Sequence, residues 1–167
     1  MIHPLDIIKS SNVDAVLLDR IHKRLILCSA KGSQMLVGNQ FANITVASKE
    51  TSRFLITHPS YYRAAVWVND THNISYRDFV TIFEIASDLL HNALSNKKNL
   101  YTALSCYAGI NRSTTTVLMY CIRQGLDFDR CLQYIRFKNR AERGLPALTN
   151  TTFERYLRRY NKELKSF

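Results

Sequence analysis

Apolar and polar residues follow each other along this chain in patterns that predict strands and helices in alternation. Short apolar or β-branched runs predict strands at 24–28, 44–48, 54–56, 64–68 and 100–104. Apolar residues at helical spacing predict helices within 79–93, 114–124, 127–137 and 151–164. Strands that alternate with helices favour an α/β fold, in which a mainly parallel twisted sheet is covered by helices on both faces.

Two of these helices have a recognisable start. Ser75 with Asp78, and Thr151 with Glu154, have the spacing of capping boxes. The basic segment 140–150, with Gly144 and Pro146, is predicted to be a loop between the last two helices.

The amino-terminal part of the chain is also predicted to be helical, with Asn12 capping a helix from Val13 to Arg20. We expect residues 1–22 to form a helical extension that packs on the domain or on a second copy, which would give a homodimer. The 167 residues form one domain without internal repeats.

The composition indicates in which compartment the protein is expected and which kinds of partner it is expected to bind. No apolar run is long enough to span a membrane, and the first residues have no signal-peptide pattern, so we expect a cytoplasmic protein, with the nucleus also open. The four cysteines, Cys28, Cys106, Cys121 and Cys131, lack metal-ligand spacing, which favours free thiols in a reducing compartment. The net charge of +10 favours acidic or phosphorylated partners but does not separate phosphoproteins from RNA.

The segment from Leu100 to Gly125 contains the clearest chemistry. A short apolar strand runs into Ser105-Cys106-Tyr107-Ala108-Gly109-Ile110-Asn111-Arg112-Ser113, and a helix follows. This order directs backbone N–H groups and the positive end of a helix dipole at one point, which is typical of an anion site. Arg112 can bind two oxygens of a tetrahedral anion, and the same groups would stabilise the thiolate of Cys106 as a nucleophile. Ser113 lies where the departing thiolate needs stabilisation.

A second catalytic group is needed, because expulsion of an alkoxide or phenoxide at neutral pH requires a proton. Asp70 is the candidate, since it follows the strand at 64–68 in a loop of turn-forming residues. Asp78 is better explained as part of a helix cap.

The segment 105–113 resembles the signature loop of cysteine-based protein tyrosine phosphatases. It is most similar to the dual-specificity branch and, within it, to the compact viral enzymes of poxvirus and baculovirus type. Val68-Asn69-Asp70-Thr71 resembles the general-acid loop of that family. A histidine that helps to order the loop and activate the thiol usually precedes the nucleophile, and here Ser105 takes its place.

This resemblance implies a metal-independent phosphatase without a cofactor that acts on phosphotyrosine and phosphoserine/threonine in proteins. It implies that Tyr107, Ala108, Gly109, Ile110 and Asn111 bind the phosphate, and that Arg140 or Arg143 contacts a second phosphate. Two alternatives stay open: an RNA 5′-triphosphatase or polynucleotide phosphatase, and a catalytically weak module that binds phosphoproteins.

Overall fold

A five-stranded sheet with the strand order β1-β2-β5-β3-β4 forms the centre of the protein. The computed structural model describes residues 3–55, 60–98 and 100–166. The strands are β1 (Ala15–Leu17), β2 (Leu25–Cys28), β3 (Gly38–Ala47), β4 (Ser60–Trp67) and β5 (Tyr101–Ser105). β1 is antiparallel to β2, and the other neighbours are parallel. The predicted α/β fold with a mainly parallel sheet is confirmed.

Helices flank this sheet. They are α1 (Pro4–Ser10), α2 (Ala30–Ser33), α3 (Lys49–Leu55), α4 (Tyr76–Leu94), α5 (Arg112–Arg123), α6 (Phe128–Arg143) and α7 (Thr151–Lys165). The Ser75 hydroxyl accepts a hydrogen bond from the Asp78 N–H at 3.1 Å, so the predicted start of α4 is confirmed. None of the helices described is long and apolar enough to cross a bilayer.

Two clusters of buried apolar side chains lie on the two faces of the sheet. The larger one joins the sheet to α4, α5, α6 and α7 through large side chains such as Phe83, Leu118 and Phe153. The smaller one lies on the other face of the sheet around Ile26 and Phe41. Burial on both faces explains why β2, with the sequence Leu-Ile-Leu-Cys, is continuously apolar.

The predicted helix from Val13 to Arg20 is wrong, because this segment contains the strand β1 and no helix. Asn12 has a φ of 50°, in the left-handed region, and separates α1 from the strand. Val13 and Ala15 face the smaller cluster, whereas Val16 and Leu18 face the larger one. With both faces apolar, a strand of this kind cannot be told from a buried helix by its pattern alone.

The amino-terminal helix is α1, which is shorter and earlier than the predicted one. Its Ile7 and Ile8 pack against the smaller cluster of the same chain. The helix therefore packs on its own domain, and the homodimer stays a prediction.

Three further local predictions are corrected. Phe54 and Leu55 belong to α3 and not to a strand, and Ile56 lies outside the described residues. The predicted basic loop begins later, because α6 continues to Arg143 and ends at Gly144 in the left-handed conformation. α7 is capped by Asn150, whose side chain accepts a hydrogen bond from the Phe153 N–H, rather than by Thr151.

The register of the strands places the candidate catalytic loop at one edge of the sheet. Cys28 of β2 and Thr45 of β3 both lie beside Ser105, the last residue of β5. Cys106 therefore follows directly at the carboxyl edge of the parallel strands, where α/β sheets commonly bind their ligands.

Candidate active site

Cys106 lies at the bottom of a tight loop between β5 and α5. Its side chain is buried, and its Sγ accepts a hydrogen bond from the Gly109 N–H at 3.2 Å. The chain can curl back over the sulfur because Gly109 has a φ of 71°, a conformation that glycine adopts without strain. The loop thus directs a backbone donor at the thiol, as the sequence predicts.

Ser113 approaches the same sulfur from the first turn of α5. Its Oγ lies 3.2 Å from Cys106 Sγ, and the residue is fully buried. A hydroxyl at this distance can donate to a thiolate. The structure therefore places Ser113 where the sequence predicts a group that stabilises the thiolate.

Arg112 is buried at the start of α5, with 8% of its surface exposed. Its Nη1 donates to the Val68 carbonyl oxygen at 3.1 Å, which ties the guanidinium to the end of β4. Among the residues that the structure describes, its buried Nε has no hydrogen-bond partner. A buried donor of this kind is normally satisfied, and a bound oxyanion would satisfy it.

Asp70 lies in the loop after β4, and two amide side chains hold it against the signature loop. Asp70 Oδ2 accepts from Asn111 Nδ2 at 2.8 Å, and Oδ1 accepts from Asn150 Nδ2 at 2.7 Å. Asn150 also donates to the carbonyl oxygen of Thr71. The candidate acid, the loop and the start of α7 therefore form one hydrogen-bonded unit.

Asn111 is the centre of this unit. Its Oδ1 accepts from the backbone N–H groups of Thr149 and Asn150, at 2.7 and 2.9 Å, while its amide nitrogen holds Asp70. The bridging role of Asn150 was missed in the sequence. The available signal was its place directly before Thr151, since asparagine is as good a helix cap as threonine.

The four carbonyl groups of residues 107–110 accept hydrogen bonds from outside the loop. Tyr107 O accepts from the Ala30 N–H at 2.9 Å, and Ile110 O accepts from the Leu148 N–H at 2.9 Å. The trans peptide directs the N–H of each unit opposite to its C=O. Anchored outward carbonyls thus keep the N–H groups of the loop directed inward.

Arg143 anchors the two central carbonyls. Its Nη2 donates to Ala108 O at 2.7 Å and its Nη1 to Gly109 O at 3.0 Å. Its side chain is only 1% exposed, and its Nε donates to Asp14 Oδ1. This corrects the predicted contact of Arg143 with a substrate phosphate, because the guanidinium is buried behind the loop with its nitrogens bonded inside the protein.

Arg140 lies on the outer side of the same helix and is exposed. It lines a cleft of about 480 Å³, together with Arg136 and Thr149. Leu148 also lines this cleft, and its N–H binds the signature loop. Arg140 therefore lines a cleft that borders the loop, and its contact with a second phosphate stays a prediction.

Ser105 and Cys28 form the floor of the loop. The buried Ser105 hydroxyl lies 3.4 Å from the Thr45 hydroxyl. Complete burial raises the pKa of the Cys28 thiol to about 12, despite the opposing effect of the nearby Arg143 charge. Cys28 is therefore a neutral thiol at neutral pH.

Comparison with known proteins identifies the fold of the chain. No protein-family model and no curated protein sequence matches the chain. Among solved structures, human DUSP28 is similar with a TM-score of 0.67 and 17% identity, covering 91% of this chain and 95% of its own. The human tyrosine phosphatase-like serine/threonine/tyrosine-interacting protein has a TM-score of 0.60 and 15% identity, covering 87% and 95%.

A viral protein is also similar. OH1 from the Orf virus, described as a tyrosine phosphatase with triple substrate specificity, has a TM-score of 0.56 and 17% identity, covering 83% of this chain and 82% of its own. At such identities the likeness defines the fold. The chain has the fold of the cysteine-based dual-specificity and tyrosine phosphatases.

Proposed function

We propose that this protein is a metal-independent phosphatase that hydrolyses phosphotyrosine and phosphoserine/threonine in proteins through a cysteinyl-phosphate intermediate. The observation that carries this proposal is the convergence of three groups at the start of α5. They are the Cys106 thiol with its Gly109 N–H donor, the Ser113 hydroxyl and the Arg112 Nε, which has no hydrogen-bond partner in the described part of the chain. Together they form a nucleophile beside an anion site.

In the first step, the Cys106 thiolate attacks phosphorus and the bond from phosphorus to the substrate oxygen breaks. Arg112 and the inward N–H groups of the loop bind the three equatorial oxygens, over which the negative charge of the phosphoryl group is spread in the transition state. Asp70 supplies the proton to the leaving oxygen. The product alcohol or phenol then leaves, and phosphate stays on sulfur.

In the second step, water attacks the phosphorus of the cysteinyl phosphate and the P–S bond breaks. Asp70, now a carboxylate, takes a proton from the water. The Ser113 hydroxyl donates to the departing thiolate, which restores the starting state. Inorganic phosphate is the second product.

The surroundings of the loop support an acidic substrate. Arg140 in its cleft and the net charge of +10 attract acidic segments beside a phosphorylated side chain. The exposed Tyr107 side chain, next to the nucleophile, offers an aromatic surface to such a segment.

The test is hydrolysis of p-nitrophenyl phosphate in EDTA by the wild type, Cys106→Ser and Cys131→Ser. Cys131 is a buried cysteine of α6, so its variant controls for the loss of any buried thiol. We expect activity in EDTA that disappears only in Cys106→Ser. Activity that needs a metal ion, or that survives in Cys106→Ser, would refute the mechanism.

The substrate is tested by phosphate release from phosphotyrosine and phosphothreonine peptides against RNA with a 5′-triphosphate end. Peptides should be the better substrates. Faster release from RNA would replace the protein substrate by a polynucleotide. If phosphopeptide binds to the wild type and is never hydrolysed, the protein is a binding module, which Ser105 in place of the usual histidine would help to explain.

A further inference from the structure

Arg143 is a buried cation whose three guanidinium nitrogens all donate hydrogen bonds inside the protein. Besides its bonds to Ala108 O, Gly109 O and Asp14, its Nη1 donates to Asn139 Oδ1 at 3.0 Å. A buried charge is costly unless its hydrogen-bonding groups are satisfied, and here the two loop carbonyls supply half of the acceptors. The placement of Arg143 is therefore tied to the conformation of the loop.

The bonds of Arg143 reach the nucleophile through a single peptide group. The carbonyl of Ala108 and the N–H of Gly109 belong to the same peptide unit. Its oxygen accepts from Arg143 Nη2 at 2.7 Å, and its N–H donates to Cys106 Sγ at 3.2 Å. A charged donor on the carbonyl polarises the unit and strengthens its N–H as a donor to the sulfur.

The next peptide unit repeats the arrangement. Gly109 O accepts from Arg143 Nη1 at 3.0 Å, and the trans geometry directs the Ile110 N–H away from Arg143, toward the anion side of the loop. Asn139 Nδ2 lies 3.4 Å from the same oxygen and adds a neutral donor. One guanidinium thus polarises two consecutive units of the loop.

We propose that Arg143 is a positioning residue for the phosphatase reaction and acts through the Ala108–Gly109 and Gly109–Ile110 peptide groups to stabilise the Cys106 thiolate and the bound phosphoryl group. The inference rests on the proposed function and adds a residue that does not touch the substrate. Arg143 would also order the loop from behind. In related enzymes a histidine helps to do this, and here Ser105 stands in the place of that histidine. Lysine could not replace Arg143, because an ammonium cannot bridge two carbonyls with the same planar geometry.

The experiment compares Arg143→Met and Arg143→Lys with two controls. Arg130→Met removes an equal charge from an exposed position of the same helix. Asp14→Asn weakens the outer ion pair of Arg143 while leaving its bonds to the loop. Circular dichroism melting identifies any variant that fails to fold.

Two readouts do not depend on turnover. The first is the rate of Cys106 alkylation by iodoacetamide at neutral pH, and the second is calorimetric binding of inorganic phosphate in the Cys106→Ser background. Both should fall about tenfold or more in Arg143→Met, by analogy with other groups that act through a direct ligand, and Arg143→Lys should recover only part of the loss. The two controls should match the wild type.

Chemical rescue shows whether Arg143 acts by polarising the peptide groups of the loop or only by filling space behind them. In Arg143→Ala, added guanidinium ion at a concentration that does not unfold the protein should restore alkylation and phosphate binding, whereas added methylammonium should not. Unchanged alkylation and binding in Arg143→Met, or an equal loss in Asp14→Asn, would overturn the proposal. The two proposals can also be separated. If Arg143→Met loses both alkylation and phosphate binding but the wild type hydrolyses no phosphate ester, the role of Arg143 is supported and the phosphatase activity is refuted.

Discussion

Cys106 Sγ and Ser113 Oγ lie 3.2 Å apart, although seven positions separate them in the chain. The sulfur directly follows β5 and the hydroxyl lies in the first turn of α5, so the loop between them must turn back on itself. This closure places the N–H groups of the loop around the point where a phosphate would bind. Ser113 is therefore held beside the nucleophile rather than beside the substrate.

Ser113→Ala should slow hydrolysis of the cysteinyl phosphate more than its formation, because the hydroxyl stabilises the thiolate that leaves in the second step, whereas the first step consumes the thiolate. We expect kcat to fall by about a hundredfold, the size typical for loss of one donor to developing charge. Rapid mixing with p-nitrophenyl phosphate should then show a burst of nitrophenol. The matched control is Thr114→Val, since the neighbouring buried hydroxyl has no hydrogen-bond partner within the described part of the chain. The role would be contradicted if neither variant showed a burst, or if Ser113→Ala and Thr114→Val both showed one.

Asp70→Asn should lower turnover at neutral pH by a factor of about 10² or more, since an amide cannot supply the proton to the leaving oxygen. The loss should be larger for alkyl phosphates than for p-nitrophenyl phosphate, whose leaving group needs less protonation. Phosphate binding should survive, because Arg112 and the loop are untouched. Asp78→Asn is the control, as Asp78 is an exposed residue of the first turn of α4. Equal activity in Asp70→Asn and the wild type would remove Asp70 from the mechanism.

Asn111→Ala should reduce turnover less than Asp70→Asn. The variant removes one of the two amide donors that hold Asp70, while Asn150 keeps the other. Asp70 would then spend less time beside the loop, so the dependence of kcat on the leaving group should become intermediate. In the double variant with Asp70→Asn, the two effects should not add, because Asn111 acts through Asp70. Full additivity would mean that Asn111 acts on the phosphate loop alone.

Gly109→Ala should abolish phosphate binding and turnover. A Cβ at this position would lie 2.6 Å from Cys28 O and 2.8 Å from Arg143 Nη1, and the residue would also be strained at its positive φ. Gly125→Ala is a matched control, since Gly125 has a φ of 76° but a Cβ there would meet no atom within 4 Å. Both variants should lose stability from backbone strain, as measured by thermal melting. Phosphate binding by Gly109→Ala at the affinity of the wild type would exclude a tight packing of the loop on Cys28.

Asp14 gives a pH-dependent contribution to stability. Partial burial raises the pKa of its carboxyl, but the hydrogen bond and charge of Arg143, with a hydrogen bond from Ser29, outweigh this effect and hold the pKa below its usual value. A carboxyl whose pKa is lowered on folding stabilises the protein above its unfolded pKa of about 3.9, and this contribution is lost as the pH falls through the folded pKa.

The melting temperature of Asp14→Asn should therefore lie below that of the wild type near neutral pH, and the difference should shrink below about pH 4. The effect should be small, because 43% of the Asp14 side chain is exposed and solvent screens the ion pair. Melting curves of both proteins across this range provide the measurement. A difference that persists unchanged at the lowest pH would assign the effect to packing rather than to charge.

Local sequence determined the central part of this site. Cys106, Gly109, Arg112 and Ser113 lie within eight consecutive positions, and a strand, a tight loop and a helix are sufficient to bring them together. The start of α4 at Ser75 was equally readable, because a helix cap acts over three residues. Interactions between residues that are close in the sequence can be predicted from local sequence patterns.

Only the tertiary structure decided the groups behind and beside the loop. Arg143 was expected to face the substrate, yet it bonds Ala108 and Gly109 more than 30 positions away, and Asn150 bonds Asp70 across 80 positions. The strand β1 was expected to be a helix, because apolar residues on both of its faces give no distinct period. Distant segments decide which face of α6 lies against the loop and whether residues 15–17 join the sheet as β1. The local sequence contains no pattern that predicts either result.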